Sequence, residues 1–175
     1  VAGLRRRLVD AFAGAETVYE KILALNPAVP ASYINLALAE ARQNKFDAAI
    51  DTLKTGAAAI PGSDILLARL GHTYLVTGRP AEALEAMEKV LAVNPEYFDA
   101  LAGAALILDT SGRSEEARGF MERALAIEPE NKVLRASYAR NLAAGGRIPE
   151  AIEVYSRLAD DYPSEAIFRQ NLGIA

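Results

Sequence analysis

The sequence predicts an all-α fold made of repeated pairs of antiparallel helices, and three observations carry this prediction. Similar short stretches recur every 34 residues and end in proline, at Pro27, Pro61, Pro95, Pro129 and Pro163. Two columns at the same interval hold only alanine and glycine. Between them, apolar residues recur at spacings of three and four, which is the period of an amphipathic helix. The chain is therefore expected to consist of helix-turn-helix units.

The two small columns indicate where the helices of each unit cross. When each unit is counted so that its closing proline is position 32, position 20 is always alanine and position 8 is alanine or glycine. A larger side chain would push the helices apart, because packed interiors have little spare volume. The residues are Ala15, Ala49, Ala83, Ala117 and Ala151 at position 20, and Gly3, Ala37, Gly71, Ala105, Ala139 and Gly173 at position 8.

The turn between the two helices is predicted at position 15, where the residue types accept a left-handed backbone: Asn44, Gly78, Gly112 and Gly146. The residues that follow it, such as Pro80, Ser114 and Pro149, are typical of a helix start. The proline at position 32 is expected to end the second helix. Each unit thus holds two helices and two turns.

The composition fits an ordinary globular protein with a packed core. The chain has 175 residues, of which 51% are hydrophobic and 24% are charged, and its net charge is −4. A negative net charge disfavours a nucleic-acid partner, because proteins that bind phosphates usually present a basic face. The one basic cluster, at residues 5–7, is interpreted as a solvated helix face.

Residues that could carry chemistry are scarce. The chain has no cysteine and a single histidine, His72, which leaves no disulfide framework, no sulfur-based zinc site and no histidine cluster. The Gly-Arg pairs fall in the predicted turns and lack the other residues of a phosphate-binding loop. A lone histidine is more often a polar contact than a base. We therefore expect no catalytic residue, no metal and no cofactor, and predict that the chain is not an enzyme.

No membrane-spanning segment is expected. The longest apolar run, residues 100–108, lies between Asp99 and Asp109 and is far shorter than the roughly 20 residues that a spanning helix needs. No secretory signal is visible, and the sequence opens on Val1 rather than methionine. The compartment is therefore undetermined, with a soluble cytoplasmic protein as the favoured interpretation.

These residues resemble the tetratricopeptide repeat, a 34-residue helix-turn-helix unit. The unit that matches the family's pattern best carries Leu67, Leu70, Gly71, Tyr74, Ala83, Met87, Val90 and Pro95. The resemblance implies a single solenoid over residues 1–175, with a partial or divergent repeat at 1–29, full repeats at 30–63, 64–97, 98–131 and 132–165, and the first helix of a further repeat at 166–175. It also implies a right-handed α-solenoid, a superhelix of stacked antiparallel helix pairs whose first helices line a concave surface.

Three places depart from the family's pattern. Arg135 takes position 4, where a large residue is usual, so the last full repeat is expected to pack loosely or to lay the arginine stem along the surface. Gly56 stands where alanine is usual, and its helix is expected to fray there, because glycine inside a helix costs about 1 kcal/mol. Arg6 and Asp10 replace the usual tyrosine and turn glycine, so residues 1–25 form either two helices or one.

The resemblance implies that positions 2, 5, 9 and 12 of each repeat face the concave groove. A contiguous apolar patch is rare on a protein without a partner, so the sequence predicts a non-catalytic scaffold that binds a peptide or protein of unknown identity there. The interpretation that alanine and leucine merely fill a tight inner curve stays open. On and beside this surface, the predicted apolar floor is Ile34, Leu38, Ile65, Leu106 and Val133, and the predicted polar residues are Arg42, Arg69, His72, Asp99, Asp109 and Arg140.

Two alternatives concern the setting of the repeats. Residues 1–12 resemble the closing helix of sulfatase-type hydrolase domains, so the chain could be an accessory or oligomerisation region cut from a larger enzyme. Self-association through the ends is the other, since Phe168, Leu172 and Ile174 finish the chain without the polar capping helix that solenoids usually carry. A reader of chaperone C-terminal carboxylates is disfavoured, because Ile65 takes the place of a lysine that binds the carboxylate in such proteins.

Overall fold

The computed structural model describes the backbone of residues 2–174 and the side chains of residue 7 and of residues 10–173. Within these residues the structure is all-helical, with ten α-helices and no strand. The chain divides into two compact units, Val1–Pro95 and Glu96–Ala175. The all-α prediction is thus confirmed, and the prediction of one solenoid over the whole chain stays a prediction.

Unit 1 contains five helices, in which each helix packs on the next and α2 also contacts α4. They are α1 (Ala2–Leu25), α2 (Pro30–Arg42), α3 (Phe46–Ala59), α4 (Asp64–Val76) and α5 (Pro80–Val93). Unit 2 has the same plan. Its helices are α6 (Phe98–Thr110), α7 (Ser114–Ile127), α8 (Lys132–Ala144), α9 (Ile148–Asp161) and α10 (Ala166–Ile174). First helices therefore begin at residues 30, 64, 98, 132 and 166, and second helices at 46, 80, 114 and 148, at the 34-residue interval of the sequence.

The turns between first and second helices have the predicted left-handed residue. The φ angles are 61° at Asn44, 73° at Gly78, 79° at Gly112 and 78° at Gly146. The backbone N–H of the next residue then donates to the carbonyl five residues earlier, as from Arg79 to Tyr74 at 2.8 Å. This bond satisfies a carbonyl that the helix end leaves without a partner, and all four turns make it.

The small columns lie where the helices cross most closely. The position 20 alanines of the four full repeats are at most 1% exposed, and the position 8 residues of those repeats are buried as well. A Cβ atom built on Gly71 would lie 3.4 Å from Ala86 Cβ and from Met87 Cγ and 3.5 Å from the carbonyl oxygen of Ala83. The first helix of this repeat therefore rests directly on the second, as the restricted columns predict.

Gly56 has a packing role that the sequence did not suggest. It is buried in α3, and a Cβ atom built on it would lie 2.7 Å from Cγ of Tyr33 and 3.0 Å from that residue's Cβ. These distances are below any normal carbon contact. α3 continues through Gly56 to Ala59. The glycine thus makes room for the aromatic ring of the first helix, which offsets its low helix propensity.

Arg135 is buried and paired, which corrects the expectation of loose packing or a surface-lying stem. The residue is 9% exposed. Its Nη1 atom lies 2.7 Å from Oδ2 of Asp161 and 3.2 Å from Oε2 of Glu130. The guanidinium therefore replaces the usual large apolar residue at position 4 and brings its charge to two more exposed carboxylates.

The N-terminal region forms one continuous helix, α1, of 24 residues. This finding decides between the one-helix and two-helix interpretations of residues 1–25. The side chains of Gly3, Arg6 and the rest of residues 1–6 lie outside the described residues, as does that of Ile174. Ala15 is half-buried in α1, while Gly173 is exposed in α10.

Candidate functional site

The predicted groove residues of unit 1 lie on the first helices α2 and α4 and are mostly exposed. Leu38 and Ile65 are 50% and 42% exposed, which is high for large apolar side chains. Ile34 is half-buried on α2, and Arg42, Arg69 and His72 are exposed. Unit 1 therefore presents a mixed surface of aliphatic side chains and cations on its first helices.

The predicted groove residues of unit 2 are brought together more closely. Leu106, Asp109, Val133 and Arg140 all line one cleft of about 400 Å³ between α6 and α8. Leu106 and Val133 are 53% and 72% exposed. Asp99 is exposed on α6 but does not line the cleft. Four of the five residues predicted for this unit thus share one concave feature.

Small side chains at the sides of this cleft explain why it is open. Ala102 and Gly103 line it from α6, and Ser137 lines it from α8. The buried side chains of Met121 and Leu134 also line it. The sequence analysis missed these residues. The signal that could have found them is position 6, which holds the small Gly103 and Ser137 in the third and fourth full repeats but Asn35 and Arg69 in the first two.

A charged pair lies at the cleft. The Nη2 atom of Arg140 is 3.6 Å from Oδ2 of Asp109. The arginine side chain is 63% exposed, whereas the aspartate side chain is only 16% exposed. An exposed pair at this separation is weak. Arg140 is therefore available to a partner, while Asp109 is fixed.

Asn141 is what fixes Asp109. Its Nδ2 atom donates to Oδ1 of Asp109 at 2.7 Å and to the carbonyl oxygen of Ser114 at 3.0 Å. Its Oδ1 atom accepts from Nε of Arg118 at 3.0 Å. Arg118 in turn pairs with Glu115 at 2.9 Å. Asn141 is 1% exposed and Arg118 is 6% exposed, so this network is sealed from solvent beside the cleft.

The sequence analysis did not identify Asn141 or Arg118. Asn141 takes position 10 of its repeat, where the first and third full repeats hold the buried residues Ala39 and Ile107. A polar residue in an otherwise buried column usually has a hydrogen-bonding partner. That mismatch was the available signal, although it does not reveal which partner the residue binds.

The arrangement is suited to holding a side chain rather than to catalysis. The cleft offers aliphatic contact surface next to a carboxylate and a guanidinium. Among the described residues, no group of three or more His, Cys, Asp and Glu side chains could hold a metal ion. No described helix is long and apolar enough to cross a membrane.

Comparison with protein families gives consistent matches along most of the chain. A family model described as tetratricopeptide repeat matches residues 69–132, and a second model with the same description matches residues 10–71 and 110–170. The small glutamine-rich tetratricopeptide repeat-containing protein 2 of Mycosarcoma maydis is 34% identical over 84 residues, which are 48% of this chain. That match spans 24% of the length of the curated relative.

Solved structures with the same fold cover most of the chain. MamA superposes with a TM-score of 0.76 at 22% identity, over 92% of this chain and 94% of MamA. YrrB, described as a TPR protein with an unusual peptide-binding site, superposes with a TM-score of 0.79 at 20% identity, over 89% of this chain and 80% of YrrB. A thermophilic TPR protein of Thermus thermophilus gives a TM-score of 0.61 at 22% identity, over 98% of this chain and 94% of that protein. At these identities the likeness shows the fold alone.

Proposed function

The chain is a member of the tetratricopeptide repeat family, and from this premise we propose that it is a non-catalytic scaffold that binds a peptide or protein partner through the first-helix face of its repeats. The observation that carries this proposal is the cleft between α6 and α8, where Leu106 and Val133 are half or more exposed on neighbouring helices. The partner of this surface is a peptide or protein segment with an apolar anchor side chain.

The energetics of the cleft favour such an anchor. Completely burying a leucine or valine side chain is worth about 1.5–3 kcal/mol, and about half of that remains available where the side chain is half exposed. A small cleft also excludes water from the contact, which is typical of the side chains that dominate interface energies. Small residues at Gly103 and Ser137 provide the room that the anchor occupies.

The charged pair beside the cleft sets the orientation of the partner. Asp109 is held by Asn141 and is a fixed acceptor, while Arg140 is an exposed donor. A peptide N–H or a cationic side chain is bound by Asp109, and a carbonyl or carboxylate group by Arg140. Because these contacts are directional, they contribute more to specificity than to affinity.

Two further observations support a peptide-binding role. The exposed aliphatic residues Leu38 and Ile65 lie on first helices of unit 1, so both units present apolar groups on the same helices of the repeat. YrrB, which has the same fold, is described as having a peptide-binding site. The alternative, in which these repeats serve a larger enzyme such as a sulfatase-type hydrolase, places the same surface in another setting. A catalytic domain upstream in the full-length reading frame would favour that alternative.

The test selects peptides on the wild-type chain from a phage-displayed random library and measures the affinity of the synthesised peptides by fluorescence anisotropy. Leu106→Asp should weaken binding by about tenfold or more, because it places a carboxylate in an apolar contact. A matched control is Ile127→Asp, which makes the same change at a 39% exposed residue of the second helix α7. Thermal melts establish that both variants fold.

The expected result is that Ile127→Asp leaves the affinity unchanged. If Ile127→Asp blocks binding while Leu106→Asp does not, the second helices form the interface and the first-helix proposal is wrong. Failure to select any peptide that binds the wild-type chain would also contradict it.

A further inference from the structure

Helix α1 has the pattern of a second helix, but its inner face is largely uncovered. It packs on α2 and carries Ala15 at position 20, Tyr19 at position 24 and Ile22 at position 27. Ala15 and Tyr19 are only half-buried, and Ile22 is 37% exposed. The same positions are buried in all four full repeats, where they hold Ala49, Leu53 and Gly56, then Ala83, Met87 and Val90, then Ala117, Met121 and Ala124, and finally Ala151, Tyr155 and Leu158.

Helix α10 shows the opposite arrangement. It has the pattern of a first helix, and Phe168 is buried against Ala139, Tyr155 and Leu158. Its residues at positions 4 and 8, Arg169 and Gly173, are nevertheless exposed.

The small residue of α10 has no neighbour of the kind that the full repeats provide. A Cβ atom built on Gly173 would meet no atom within 4 Å, whereas one built on Gly71, at the same position of the second full repeat, would touch three atoms of α5. The face of α10 that a second helix would cover is therefore open among the described residues.

The two open faces are complementary halves of one repeat. We propose that α10 of one copy packs against α1 of a second copy, so that two copies complete a 34-residue repeat between them. In this pairing Gly173 of one copy lies on Ala15 of the other, Leu172 lies beside Tyr19, and Arg169 lies over Ile22.

The full repeats show that each pairing is sterically feasible. Position 8 rests on position 20 where Gly71 approaches the carbonyl oxygen of Ala83, and position 4 rests on position 27 where Tyr33 approaches Gly56. An arginine at position 4 is already accommodated in the fourth full repeat, in which Arg135 is 9% exposed. The pairing thus follows the register that this chain uses internally.

A second copy is the occupant that fits both faces at once. The contact joins two different surfaces, so each copy offers one face of each kind and the assembly grows head to tail. This arrangement uses the ends of the chain and leaves the first-helix face of the repeats free. It therefore stands or falls independently of peptide binding.

The decisive experiment measures mass by light scattering coupled to size exclusion over a range of concentrations. The wild-type chain should show a mass above the 18.7 kDa of one copy, increasing with concentration. Ala15→Arg blocks the α1 face and Gly173→Phe blocks the α10 face, so each variant alone should stay monomeric. Ala126→Arg, at an exposed alanine of α7, is the matched control and should associate like the wild type.

Mixing the two blocked variants provides the most specific outcome. Ala15→Arg retains an intact α10 face and Gly173→Phe retains an intact α1 face, so an equimolar mixture should form dimers and nothing larger. Ile22→Asp serves in place of Ala15→Arg if circular dichroism shows that the arginine disturbs α1. A monomeric wild type at all concentrations, or a mixture that remains monomeric, would overturn the proposal.

Discussion

The close approach between Tyr33 and Gly56 makes Gly56→Ala an informative substitution, because two physical effects oppose each other there. Alanine has the higher helix propensity, so the change should stabilise α3 by about 1 kcal/mol if nothing else intervened. The added methyl group, however, would lie 2.7 Å from Cγ of Tyr33. Carbon atoms normally approach no closer than about 3.5 Å, so the two helices must separate by several tenths of an ångström.

The steric effect is expected to dominate. The clash involves the Cβ and Cγ atoms of Tyr33, which stay close to the main chain in every rotamer, and the residue is 5% exposed. The ring therefore cannot simply turn away. Overpacking of this kind costs about 1–3 kcal/mol, and after the propensity gain the net loss should be about 1 kcal/mol. In a chain of this size, that corresponds to a Tm lower by about 2–4 °C.

Thermal denaturation followed by far-UV circular dichroism measures this shift, and two controls separate the two effects. Gly119→Ala changes an exposed glycine inside α7 that has no atom within 4 Å of a built Cβ, so it should raise Tm through propensity alone. In a Tyr33→Leu background, Gly56→Ala should also raise Tm, because the ring is gone. A higher Tm for Gly56→Ala in the wild-type background would refute the steric argument.

Three further predictions concern other buried positions. Ala117→Phe should lower stability by about 1–3 kcal/mol or more in thermal melts, because the crossing has no room for a ring; an unchanged Tm would contradict the repeat register. Burial, and then the nearby Glu16, raises the pKa of Glu40 above its ordinary 4.5. The stabilising contribution of its protonated form is complete below pH 4.5 and is lost as the pH rises through the raised pKa, so Glu40→Gln should raise Tm near pH ~7 but not below pH ~4. Asp161→Ala should lower Tm more than Arg135→Leu does, since it leaves the buried guanidinium without its closest carboxylate; the reverse order would exclude a structural role for the pair.

The helices and turns could be predicted from the sequence because they depend on local chemistry. A left-handed residue such as Gly78 and a helix-starting Pro80 act on their own neighbours, and the 34-residue interval then transfers the assignment to every repeat. The starts of α2 and α4 follow the same rule. These features need no knowledge of which side chains meet in space.

The roles of Gly56, Arg135 and Asn141 could not be predicted in this way, because each depends on a partner distant in sequence. Considered in its own column, Gly56 is a weak helix former and Arg135 is a misplaced charge. Their partners, Tyr33 and Asp161, lie 23 and 26 residues away. The candidate site was predicted in part for the same reason: family positions located Leu106, but the open volume beside it depends on the small side chains of the neighbouring helix.

The departures from the repeat pattern become regular when positions 4 and 27 are considered together. The four full repeats pair tyrosine with glycine, leucine with valine, leucine with alanine, and arginine with leucine, at Tyr33 and Gly56, Leu67 and Val90, Leu101 and Ala124, and Arg135 and Leu158. The largest aromatic side chain therefore faces the smallest residue, as a packed crossing of limited volume requires.

This compensation restricts the interior and leaves the first-helix face unrestricted. A residue such as Leu106 or Arg140 projects away from the crossing, so no partner within the repeat limits its size or charge. The repeat pattern can thus specify the fold while remaining silent about the ligand. Identity of the partner must be encoded at these unrestricted positions, and in unit 2 they combine an aliphatic cleft with a fixed acceptor, Asp109, and an exposed donor, Arg140. A partner that satisfies all three features is more specific than the apolar contact alone would allow.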